Sequence, residues 1–141
     1  MKLLGVLRAV ALTAVVVGAI GSIAFMLRIG ARNPSRLLIL AFLLWDAAPF
    51  VGLVCADIAS THWSGRARAS LYAVMSIVSL ASLAVYGNVA FGAPRSQPAF
   101  SFLVVPAVSW LPIAIVVAIG YRNRLSSADA FRNHGRSRLR R

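Results

Sequence analysis

The chain of 141 residues has no glutamate, a single lysine, a single cysteine and only three acidic residues, Asp46, Asp57 and Asp129. Each scarcity excludes something. A lone Cys55 permits no intramolecular disulfide and rules out dithiol redox and cysteine–zinc chemistry. Two histidines, His62 and His134, lie far apart in the sequence, with no clustered ligands around them, so neither a metal nor a cofactor is expected. There is no nucleophile elbow, no phosphate loop and no close pair of acids at a shared depth. No catalytic residue is therefore assigned, and the chain reads as a non-enzyme. Charge itself is scarce, at 13% of residues, where a soluble domain carries about 25%. What fills the space is hydrocarbon: 60% of the residues are hydrophobic, against about 45–50% in a soluble domain. The imbalance marks a membrane protein.

The net charge of +12 is compatible with nucleic acid, but its placement points elsewhere. The arginines fall between or after apolar runs rather than over a polar domain surface, so no specific nucleic-acid partner is expected. Fourteen arginines beside one lysine and abundant alanine fit a GC-rich bacterial source.

Four apolar runs occupy 9–27, 37–58, 71–91 and 100–119. Each is about 20 residues, and at about 1.5 Å rise per residue each crosses a hydrocarbon core of roughly 30 Å. Backbone groups in lipid must be satisfied within the segment, so each run is predicted to be a helix. The links "GARNPSR", "STHWSGRAR" and "GAPRSQP" are short and rich in turn residues. Short links predict antiparallel sequential neighbours, and hence an all-α, up-and-down four-helix membrane bundle over 1–121 with a basic, flexible tail over 122–141. The N-terminal stretch also has features of a cleaved signal peptide, but its apolar run is longer than the usual 7–15-residue core, so a retained helix is expected.

Lysine and arginine are distributed unequally. Lys2, Arg8, Arg66, Arg68 and seven tail arginines fall on one side, and Arg28, Arg32, Arg36 and Arg95 on the other. The positive-inside rule then places both termini in the cytoplasm, with the chain in a bacterial inner membrane. The tail arginines, Arg122, Arg124, Arg132, Arg136, Arg138, Arg140 and Arg141, are candidate contacts for anionic lipid headgroups, each contributing about 1 kcal/mol near a charged surface.

Asp46 lies near the middle of the second run, where an aspartate costs about 2.5–3.5 kcal/mol on insertion scales. With no cation inside any run, desolvation there favours the neutral carboxyl unless water reaches it. Pro49, one turn on, releases the carbonyl of Trp45 and is a candidate hinge, as are Pro106 and Pro112 in the fourth run. Ile39, Phe42, Asp46, Phe50, Leu53 and Asp57 share one helical stripe. Tyr72, Ser76, Ser79, Leu83 and Tyr86 form a second, with Ser82 at its flank. Ser79 and Ser82 are the expected partners of Asp46, and Ser109 completes the candidate polar site; Arg66 or Arg68 is expected to reach Asp57. Ala14, Gly18 and Ser22 form a small-residue ridge for close helix packing. Trp45 and Trp110 are expected inside the bundle, Trp63 in the interfacial belt, and Cys55 in a packing role.

Two functions from different classes fit these features. One is a non-enzymatic membrane subunit, scaffold or homo-oligomer. The other is a small proton-coupled transporter that uses Asp46. Access of water to Asp46 separates them.

Overall fold

The computed structural model describes residues 2–31, 34–92 and 98–138, and their side chains except at 98, 99, 101, 102, 123, 124 and 126–138. Along every apolar run the backbone closes its own hydrogen bonds as helix: α1 spans Lys2–Gly30, α2 Arg36–Ala59, α3 Gly65–Phe91 and α4 Pro98–Arg138. A single 3-10 turn, Ser60–His62, follows α2. Serine sets two of the starts. The Ser35 side chain accepts from the Leu38 amide at 3.3 Å, and that of Ser64 from the Ala67 amide at 3.4 Å. Gly92 closes α3, its amide donating to the Asn88 carbonyl at 2.8 Å.

The helices outrun the apolar runs that predict them, because the flanking arginines, alanines and leucines favour helix as well. α1 begins seven residues before the predicted span. α4 continues to Arg138, far past the predicted end of the span at 119. Its 41 residues measure about 60 Å, twice the hydrocarbon core, so its C-terminal part extends beyond any bilayer that holds the rest. Neither Pro49 in α2 nor Pro106 and Pro112 in α4 ends its helix.

Four helices are long and apolar enough to cross a membrane, with mean hydropathy of 1.8 to 2.4. Their arrangement corrects one expectation. The most extensive contact is between α1 and α3, not between sequential helices, and α2 and α3 meet only slightly. The helices form a ring in the order α1, α3, α4, α2, so α2 and α3 lie across a diagonal. The small-residue ridge explains the choice. A Cβ added at Gly18 would stand 2.9 Å from the Cβ and 3.2 Å from the Cα of Ser79, so only glycine permits this approach of α1 to α3. Gly65 faces Leu4, Gly18 faces Ser79 and Gly87 faces Phe25, so the two helices run parallel. α2 and α4 are parallel too, Gly52 lying beneath Trp110 and the Trp45 indole donating to the Leu103 carbonyl at 3.2 Å.

The core splits in two. The larger cluster, nearer the chain termini, holds Phe50, Leu53, Leu71, Tyr72, Met75 and Ile113 among others. The smaller, toward the opposite end, gathers Phe25, Phe42, Leu43 and Val105 around Met26 and Tyr86.

Candidate functional site

Between the two apolar clusters lies a layer of buried polar side chains. Asp46 of α2 is 1% exposed, and Ser22 of α1 with Ser79 and Ser82 of α3 are buried beside it in the core; Ser109 of α4 is buried as well. The antiparallel register brings Ser22 and Asp46 to one level: Gly18 meets Phe50, and one turn further along each helix come Ser22 and Asp46.

The partner of Asp46 is Tyr86, whose hydroxyl donates to Oδ1 at 2.6 Å. This replaces the expected bond to Ser79 or Ser82. Because α2 and α3 are diagonal, a short serine hydroxyl does not bridge them, whereas tyrosine does. Side chains on a helix lean toward its N-terminus. Tyr86 therefore leans inward from the far end of α3, and Asp46, on a helix running the other way, leans toward it. Tyr86 was visible on the predicted stripe; the missing signal was reach, which depends on which helices are adjacent. Ser79 instead packs against Gly18, and its hydroxyl, like that of Ser22 and Oδ2 of Asp46, is buried with no hydrogen-bond partner. Ser109 donates back to the Val105 carbonyl at 2.7 Å, and Ser76 to that of Tyr72 at 3.0 Å, within their own helices.

Asp57, at the end that carries the chain termini, also departs from expectation. Its carboxylate is 3% exposed and is bound by Arg8 of α1, not by Arg66 or Arg68. Arg8 donates from Nη2 to Oδ2 at 2.8 Å and from Nε to both oxygens at 3.2 Å. Arg8 flanks the same end of a directly packed antiparallel helix, which gives it the shorter path. Arg68 donates to the Tyr72 hydroxyl at 3.0 Å. Ser60 covers the end of α2, donating to the Asp57 carbonyl at 2.7 Å.

Trp45 and Trp110 depart from their expected place inside the bundle. Trp63 is buried against Gly120 and meets Tyr121 edge-on at 6.1 Å, while Trp45 and Trp110 are about two-fifths exposed along the seam of α2 and α4. Cys55 is exposed, not packed. Of the tail arginines, Arg122 is described and exposed; the side chains of Arg124, Arg132, Arg136 and Arg138, and all of Arg140 and Arg141, lie outside the described residues. Among the described residues no three His, Cys, Asp or Glu gather as metal ligands.

Apolar grooves of about 330 to 360 Å³ run along three helix seams: α3 with α4, α1 with α2, and α2 with α4. Ser82 and Ser109 reach the first; Asp46 lines none of the three.

These features define a class, the all-α bundle of four potential membrane spans with a layer of buried polar side chains between two apolar clusters. Comparison with protein-family models, curated proteins and solved structures gives no match.

Proposed function

We propose that this chain is a non-enzymatic, multi-pass protein of the bacterial cytoplasmic membrane, with both termini cytoplasmic, that serves as a subunit, scaffold or homo-oligomer. The observation that carries the reading is the burial of Asp46: at 1% exposure, with a phenol as its partner and an apolar cluster on either side, its carboxyl acts as an internal tie between α2 and α3. A transport site must open to water on one side at a time, and the three apolar grooves found among the described residues, none lined by Asp46, are suited to lipid chains or a neighbouring helix instead. The excess of Lys and Arg at the end bearing the termini supports the orientation. The basic tail, on this reading, contacts anionic lipid and fixes that orientation.

The test uses the single cysteine. Cys55 is exposed on α2 and borders two grooves. Oxidative cross-linking in intact membranes is expected to trap Cys55 to a second copy or to a partner with a cysteine on its own helix, and mass spectrometry identifies which. In parallel, liposomes holding the purified chain are expected to show no proton flux that depends on Asp46. A flux abolished by Asp46→Asn in a normally assembled protein replaces this reading with the transporter.

A further inference from the structure

At the end of the bundle that carries the termini stand two arginines, Arg8 of α1 and Arg68 of α3, and one carboxylate, Asp57. Asp57 accepts three hydrogen bonds, all from Arg8. Arg68, in the first turn of α3, has only a neutral partner: its Nη2 donates to the Tyr72 hydroxyl at 3.0 Å, and its guanidinium lies 5.9 Å from the centre of the same ring. Tyr72 is 1% exposed, and Gly65 faces Leu4, so one turn further along the parallel helices Arg68 and Arg8 stand at one level. Arg8, Asp57, Tyr72 and Arg68 thus form one cluster, drawn from α1, α2 and α3, that holds two positive charges against one negative.

Within the described residues the second charge has no counter-ion. Among the described residues Arg68 meets no carboxylate, and its Nε–H is buried with no partner. Partial burial of a cation beside a phenol leaves part of its desolvation cost uncompensated. An anion from outside the chain would supply the missing charge. Its chemical class follows from the surroundings. On α1 the residues flanking Arg8 are apolar and exposed, among them Leu3, Val6, Leu7 and Val10. A surface of that kind faces acyl chains, and the anion found where acyl chains meet water is a lipid phosphate. Arginine suits it, since the planar fork matches two phosphate oxygens.

We propose that Arg68, together with the solvent-facing edge of Arg8, binds the phosphate of an anionic phospholipid at this end of the bundle. The site is distinct from the basic tail, and it holds whether or not the chain assembles with a partner.

The test is native mass spectrometry of the full chain released from detergent, titrated with phosphatidylglycerol and with phosphatidylcholine. The wild type is expected to retain one phosphatidylglycerol in preference to phosphatidylcholine. Arg68→Gln is expected to weaken that retention about tenfold, the loss of one charge-assisted contact. A full-length variant with Arg132→Gln, Arg136→Gln and Arg138→Gln is expected to keep it. Equal retention of the two lipids by the wild type overturns the proposal even if Arg68→Gln fails to fold. So does undiminished retention by a folded Arg68→Gln, loss of retention in the tail variant, or inorganic phosphate that displaces the lipid at equal concentration.

Discussion

Asp46 and Asp57 stand on one face of the same helix, three turns apart, and the bundle treats them differently. The deeper one is bonded to a neutral phenol across a diagonal. The outer one is bound to a guanidinium on the adjacent helix, and that arginine is 47% exposed. The difference is one of depth. Near the end of the bundle an arginine can serve a buried carboxylate while keeping part of its own charge in water or headgroups. In the middle, bringing in an arginine would bury a second ion, and a hydroxyl provides a hydrogen bond without that cost. One aspartate is thus an electrostatic clasp between α1 and α2, and the other a neutral-partner tie between α2 and α3.

Four substitutions break or sharpen this contrast. Gly18→Leu is expected to act most strongly, because even its Cβ would stand 2.9 Å from the Cβ of Ser79 and the close pairing of α1 with α3 orders the ring around Asp46. Overpacking of this kind costs about 1–3 kcal/mol and here more, since backbone must move; loss of the folded monomer in a detergent-challenge assay checks it. Tyr86→Phe comes next. It leaves Oδ1 of a buried carboxyl without this donor, for a loss of about 1–3 kcal/mol in steric-trap or denaturant unfolding. If stability is unchanged, the tie between α2 and α3 contributes nothing.

Asp57→Asn is expected to cost about 1 kcal/mol, because one end of the pair is exposed and weakly held. The two ties also part company in salt. The Arg8–Asp57 contribution falls as ionic strength rises, since exposed charge is screened within about 10 Å at 0.1 M, while the Tyr86 contribution does not. Equal salt dependence of the two unfolding differences would erase the distinction drawn here. Ser79→Ala has the smallest effect, within about 0.5 kcal/mol, because its hydroxyl is buried without a partner and removing it leaves no group unpaired. A large loss from Ser79→Ala, matched by none from Tyr86→Phe, would restore serine as the partner of Asp46.

Much of the bundle was legible along the chain. The stripe from Ile39 to Asp57 is the inward face of α2, with Asp46, Phe50, Leu53 and Asp57 all buried. The stripe from Tyr72 to Tyr86 is the buried face of α3, and Gly18 and Ser22 are buried on α1. Periodicity exposes such faces because a helix repeats its direction every few residues whatever its neighbours are. The partners were not legible in the same way. Arg66 and Arg68 are closest to Asp57 in sequence across the intervening turn, yet Arg8, 49 residues away, holds it. The burial of Trp63 was hidden for a related reason: Gly120 leaves room for its ring, a fact about another helix.

The amino-acid sequence by itself determined that four helices form, roughly where they lie, and which faces of α2 and α3 turn inward. Run length, internal hydrogen bonding and helical period are properties of a segment alone, and a bilayer-like solvent enforces them without reference to other segments. Only the tertiary structure decided that α1 packs against α3, that α2 and α3 face each other across a diagonal, and that Tyr86 and Arg8 therefore complete Asp46 and Asp57. Short loops allow a helix to settle beside its sequence neighbour or across from it with little difference in reach. The outcome rests on which backbones approach closest, and that is a property of pairs of surfaces, set here by the glycine on α1 that meets Ser79 on α3.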